Sequence, residues 1–238
     1  MVPYTGRRQS ASTTTHSKAD ALSEREFELL LQGARSLPDD GDRIQAVTAV
    51  LVTGRLGLRT GEFAHLQESW IDWQRSMIQI PRHERCEKSR QGDVCGYCRQ
   101  RAKQKVEYAD EDIALADALR GCWSPKTAAA VRDVPFEFSV RCELALENLV
   151  NRFGEWPLSC QGVYRRVKMA AEQIDGVSTE KVRPHGLRAT AASYHAARGL
   201  ETLPLQAMMG WSQLSTAEKY VATSSENTRR ALNSAHSR

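Results

Sequence analysis

Long apolar runs are missing from this 238-residue sequence. No stretch approaches the ~18 uncharged apolar residues that cross a bilayer, which argues against a membrane-spanning helix. The first residues, MVPYTGRRQSASTTTHSK, lack the apolar centre of a secretory leader, so the chain is expected to be cytoplasmic. Neither sign of charge dominates. A formal net charge of +4 permits a nucleic-acid partner without demanding one, and the distribution of the charges has to decide. No internal repeat recurs at a fixed period, so no repeat architecture is expected. The six cysteines are irregularly spaced, and in a chain expected to be intracellular they favour free thiols or a metal site over disulfides. What remains is the composition of a folded globular protein, 41% hydrophobic and 26% charged, enough to bury one core.

Residues 1 to 20 are rich in Ser and Thr and poor in apolar side chains, and read as a flexible lead-in. From Ser23 the pattern changes. Ser23 suits an N-cap, with Phe27, Leu29, Leu30 and Leu31 on one helical face, and a second helix from about Asp40 carries Ile44, Val47, Val50 and Leu51. The run SMIQIP is a short strand, and AAAVRDVPF is another that Pro135 ends. Between them lies a long polar segment, about 82 to 123, read as an insertion. Helices are expected over about 139–152, 159–174, 185–198 and 202–209, then from about 215 to the end. The fold class is therefore mainly α with a small antiparallel β-sheet (α+β).

The stretch RPHGLR places Pro184 at a helix start and sets His185 and Arg188 three apart on one face of the first turn. That geometry suits an anion: the helix end offers unpaired N–H groups, the guanidinium can grip two phosphate oxygens, and the imidazole can pass a proton. Taken singly, such residues also have ordinary readings. Tyr220 fits a half-buried core position, Trp211 a packing anchor after Gly210, and Arg59 and Lys126 solvated surface charges. The ordered set is what carries chemistry.

That set comprises LGLRTGEFAHL with Arg59, SPKTAAAVRDVPF with Lys126, HGLR with His185 and Arg188, and MMGWSQLSTAEKY with Trp211 and Tyr220. Over roughly residues 22 to 230 it resembles the catalytic domain of the tyrosine recombinases, the phage integrase family, and Trp211 precedes Tyr220 by the family's interval of nine residues. The resemblance implies the fold of that domain over residues 21 to 238 and site-specific breakage and rejoining of double-stranded DNA through a covalent 3′-phosphotyrosine, inside an oligomeric synapse, with no cofactor for catalysis. By the same resemblance Tyr220 is the nucleophile, Arg59 and Arg188 clamp the scissile phosphate, and His185 assists the tyrosine's proton transfers. Lys126 protonates the leaving 5′ oxygen, with Lys103 and Lys105 as competitors for that role, and the Trp211 indole bonds a phosphate oxygen. Glu62, three residues after Arg59, is placed to orient it. Type IB topoisomerases use a comparable residue set, and a non-catalytic zinc-stabilised DNA-binding regulator is a third reading. Most family members also carry an N-terminal helical domain that completes a clamp around DNA; about twenty residues precede the matching region here, which leaves three readings: a recombinase of the catalytic domain alone, a partner that encircles the DNA, or the insertion as a surrogate.

The insertion contains HERCEKSRQGDVCGYC, which spaces His83, Cys86, Cys95 and Cys98 as two paired half-sites. Such pairs match tetrahedral coordination, and a structural zinc would order a polar segment with little apolar surface; Cys122 is a substitute for His83. Around them lie Arg82, Arg85, Lys88, Arg90, Arg99, Arg101, Lys103 and Lys105, a basic knob that fits against DNA phosphates.

Overall fold

The computed structural model describes residues 17–221 except 90, 110–111, 178 and 180–181, together with 228–229, 232–233 and 236. Most of the expected lead-in, residues 1–16, lies outside the described residues. Its last four residues, Ser17–Asp20, form a 3-10 turn against the helix that carries Arg188, and nearby the Leu22 N–H donates to Thr190 Oγ1 at 2.8 Å.

Helix α1 (Glu24–Arg35) starts where its sequence says it should. The Ser23 hydroxyl accepts from the Glu26 N–H while the Glu26 carboxylate accepts from the Ser23 N–H, a reciprocal cap, and Phe27, Leu30, Leu31 and Ala34 are buried on one face. Helix α2 (Asp40–Gly54), capped by the Asp39 carboxylate, is buried all round its second half, from Thr48 to Gly54, where Thr48 and Thr53 return their hydroxyls to backbone carbonyls. A helix of that kind belongs at the centre. It packs on α1, α6 (Val140–Phe153), α7 (Cys160–Ala171) and α8 (Pro184–Ala197). After α2 come the single turn α3 (Thr60–Phe63) and strands β1 (Ile71–Asp72) and β2 (Met77–Ile80). The insertion holds two helices, α4 (Gly96–Glu107) and α5 (Leu115–Arg120), which pack on each other. The chain then returns through β3 (Arg132–Pro135).

The sheet is antiparallel in the order β1-β2-β3, with Ile78 opposite both Ile71 and Val134. Because Ile80 pairs with Arg132, the insertion leaves and re-enters at the open end of one hairpin, and the ladder beneath it stays intact. Helices α9 (Thr202–Met209) and α10 (Leu214–Val221) close the order. They pack on each other and on α8 around a second, smaller apolar cluster of Ala189, Ala192, Leu205, Met209, Ala217 and Tyr220. The expected continuation of the terminal helix, 222–227, lies outside the described residues. No described helix is long and apolar enough to cross a membrane.

Candidate active site and metal centre

Two helix ends, the start of α3 and the end of α9, meet at Arg59. It is the residue before α3, and its backbone N–H donates to Glu62 Oε2 at 2.8 Å while its Nη1 donates to Glu62 Oε1 at 2.8 Å. Its Nη2 donates to the Gly210 carbonyl at 2.6 Å. Gly210 ends α9 in the left-handed conformation, φ +60°, which glycine adopts without a Cβ penalty and which turns the last carbonyls of that helix back on the site. Arg188 is buried in α8 and donates to the carbonyls of Gly57 and Met209. The same helix end therefore orients both arginines.

Glu62, only 1% exposed, is the counter-charge. Burial alone would raise its pKa, but Arg132, then Arg188 and Arg59, outweigh that and hold it at about 2. Arg132 grips it with a two-pronged fork, Nη1 to Oε1 and Nη2 to Oε2, each 3.0 Å, and anchors itself through Nε to the Met208 carbonyl at 2.6 Å. Burial pushes the Arg188 pKa down to about 9, an effect that Glu62 opposes and that Arg59 and Arg132 reinforce. Three guanidinium charges thus face one carboxylate, and the surplus is positive. A site so arranged attracts an anion and fixes its orientation by forked donors.

Trp211 stacks on Tyr220 with ring centroids 5.3 Å apart and planes 15° from parallel, and Arg188 Cζ stands 5.9 Å from the Trp211 ring. Tyr220 is buried in the α8–α9–α10 cluster and close enough to Arg188 for their charges to interact. The structure therefore brings Arg59, Arg188, Trp211 and Tyr220 together, with Glu62 as expected and Arg132 in addition. Arg132 sits in a segment that reads as a strand; it shares a face with the inward-pointing Val134 two residues on, and a charged side chain at that register was the available signal. His185 is exposed on the first turn of α8, and Lys126 is exposed in the bend ahead of β3, off the paired strands. Lys103 and Lys105 lie exposed on α4.

The cysteine cluster forms, with a different fourth member. Ligand atoms of His65, Cys86, Cys95 and Cys98 all lie within 4.8 Å of one another, and all four residues are buried. His65 Nε2 is 3.3 Å from Cys98 Sγ and 3.6 Å from Cys95 Sγ, close to the ~3.6 Å separating nitrogen and sulfur on one tetrahedral zinc. His65 Nδ1 faces the Gly61 carbonyl at 2.7 Å; donation there leaves Nε2 as the lone-pair nitrogen aimed at the thiols. Cys95 caps α4, its sulfur accepting from the Cys98 N–H at 3.5 Å, while Cys86 Sγ accepts from the Cys95 N–H at 3.4 Å. The donor set fits zinc.

His83, the ligand expected from spacing, is not in the cluster. The Glu84 N–H donates to the Trp123 carbonyl at 2.9 Å and the Cys86 N–H to the Cys122 carbonyl at 3.2 Å, and this pairing aims His83 Nδ1 at the Trp123 carbonyl, 3.1 Å away. The Cys122 thiol donates to the carbonyls of Cys98 and Ala118 and also stands outside the set. The basic knob shrinks as well. Lys88 is largely buried, donating to the carbonyls of Ala64 (2.9 Å) and Trp156 and pairing with Glu155 at 3.1 Å, while Arg85 pairs with Glu87 and Arg99 with Asp93.

A helical domain with a three-stranded sheet, a buried arginine beside a half-buried one and a tyrosine stacked on a tryptophan next to them defines a class, and comparison agrees. The phage integrase family profile matches residues 20–227, and the chain belongs to that family. Solved structures give the same fold at low identity. A XerA recombinase superposes with a TM-score of 0.56 at 18% identity, over 92% of this chain and 66% of that one. A Tn1549 transposon integrase in complex with circular intermediate DNA gives 0.62 at 17%, over 94% and 69%. The same integrase with transposon right end DNA gives 0.59 at 18%, over 94% and 67%. The chain thus covers about two thirds of the length of these solved chains. A search of curated proteins by sequence finds no match.

Proposed function

We propose that the protein is a site-specific recombinase that cleaves and rejoins double-stranded DNA through a covalent 3′-phosphotyrosine. The observation that carries this reading is the surplus positive charge of Arg59, Arg132 and Arg188 around Glu62, set beside the Trp211–Tyr220 stack. Tyr220 Oη attacks the scissile phosphorus; the new O–P bond forms as the bond to the 5′ oxygen breaks. Arg59 and Arg188 neutralise the non-bridging oxygens with the N–H groups that do not already hold carbonyls or Glu62, and each such preorganised contact is worth on the order of 10²–10³ in rate. His185 takes the phenolic proton, Lys126 supplies one to the departing 5′ oxygen, and the Trp211 indole, which can donate but not exchange a proton, bonds a phosphate oxygen. Reversal by a different 5′ hydroxyl rejoins the strand, so the phosphotyrosine conserves the bond and no external energy source is needed. Strand exchange requires more than one copy of the chain on the DNA.

The metal-ligand set takes a structural zinc: four protein ligands leave no position for substrate. A type IB topoisomerase would share the cleavage step, whereas a non-catalytic regulator would form no covalent link. Incubation with supercoiled DNA followed by denaturation, with protein-linked DNA as the readout, tests the proposal.

A further inference from the structure

The insertion holds the catalytic segment at several points. His65, the fourth member of the cysteine cluster, lies in the same short stretch as Arg59 and Glu62, and its Nδ1 bonds the carbonyl of Gly61 between them. Tyr97, between Cys95 and Cys98, packs so close to Gly61 that a Cβ there would lie 2.8 Å from the phenol oxygen. Lys88 reaches across to the Ala64 carbonyl at 2.9 Å. Arg59 has its own contacts to Glu62 and Gly210, but the backbone that aims it is clamped between those contacts and the cluster.

From this juxtaposition we infer that a zinc ion on His65, Cys86, Cys95 and Cys98 is a positioning element for the active site: its occupancy fixes the 59–66 segment, with His65 as the residue that transmits it. The metal joins two parts of the chain that are distant in sequence. It closes a loop from His65 to Cys98 across the β2 strand; within helix α4 only Cys98 and Ala102 are buried, while Val94, Ala118 and Trp123 tie the rest of the insertion to the core. The inference rests on the recombinase reading only in naming Arg59 a phosphate ligand. The zinc linkage itself is independent of DNA.

Hydrogen exchange on the full chain, without DNA, tests it. Protein purified under reducing conditions is compared before and after zinc removal and after Zn²⁺ is added back, beside the Cys95→Ser, His65→Ala and His65→Cys variants, with zinc content measured for each and helix α6 as the folding reference. The zinc-loaded protein is expected to hold one zinc per chain and to protect residues 59–66. Removal of the metal, Cys95→Ser and His65→Ala each speed exchange there by ~10-fold or more while α6 stays protected, and His65→Cys, which restores a four-ligand set, recovers both zinc and protection. Added Zn²⁺ reverses the effect in stripped wild type, which keeps the test decisive if a variant fails to fold. Wild-type protein that takes up no Zn²⁺, a His65→Ala variant that binds it as tightly as wild type, or stripped protein that loosens only over the insertion overturns the inference. At saturating DNA the strand-cleavage rate should fall with zinc content; failure of cleavage in every sample, with exchange as expected, would count against the recombinase reading and leave the zinc linkage standing.

Discussion

Replacing Glu62 by Gln keeps the shape of the side chain and removes the carboxylate that three guanidinium groups face. The ordinary carboxyl pKa of 4.5 falls to about 2 in the fold, so ionised Glu62 is stabilised there relative to the unfolded chain by about 3 kcal/mol. The sign follows from the direction of the shift. A lowered pKa gives stability that is fully present above about 4.5 and is lost as pH falls through about 2. Urea denaturation of wild type and Glu62→Gln at pH 7 should therefore differ by about 3 kcal/mol or more, since Gln also leaves Arg132 and Arg188 without their buried counter-charge. By pH 3 roughly 2 kcal/mol of the difference should be gone, because the wild type alone carries this titration. Taking the difference between the two proteins removes the contributions of all other acids. Equal stability at pH 7, or a gap that does not narrow between pH 7 and pH 3, would refute the reasoning that Glu62 is held ionised by the arginines.

Arg132→Lys should lower strand cleavage by ~10–100-fold and lower thermal stability as well, because an ammonium cannot reproduce the fork on Glu62 and hydrogen bonds to charged groups are worth about 1.5–3 kcal/mol; rates at saturating DNA, taken well below the unfolding transition, check it. Cleavage should need no added magnesium, since neutralisation of the phosphate is assigned to Arg59 and Arg188, and single-turnover rates with and without Mg²⁺ decide this. Arg55 is 1% exposed, with its guanidinium 3.5 Å from the Phe27 ring centroid and 4.0 Å from that of Tyr194 and a 2.8 Å pair to Glu24. Arg55→Ala should cost about 3 kcal/mol in denaturant unfolding and leave DNA binding per folded molecule unchanged.

The elements that could be read from the sequence are those whose burial is periodic. The Ser23-capped helix, the helix from Asp40, the strands at Met77–Ile80 and Arg132–Pro135 and the helices after Ser139 all carry apolar residues at their own repeat. Helices α4 and α5 do not: most of α4 is Arg, Lys, Gln or Glu, and its buried contacts run through Cys98 and Ala102, so no amphipathic stripe marks it. Strand β1, two residues long, is too short to leave a pattern. The metal ligand His65 was hidden for another reason. It precedes Cys86 by a turn and two strands, so local spacing favoured His83, and its apolar setting in EFAHL reads as core. Arg132 was legible only from its register beside Val134. Residues that act through tertiary contact leave little trace in local sequence; those at a helix start or a fixed interval, such as Arg188 and Tyr220, leave a clear one.

The most direct measurement is a search for covalent protein–DNA linkage. Wild-type protein is incubated with supercoiled DNA, denatured, and any DNA-bound peptide is sequenced, with Tyr220→Phe run beside it. The account predicts DNA joined through its 3′ phosphate to Tyr220, and no linkage in Tyr220→Phe, which still retards the same DNA because only the attacking oxygen is removed. Linkage at another residue, or an undiminished adduct in Tyr220→Phe, would contradict it.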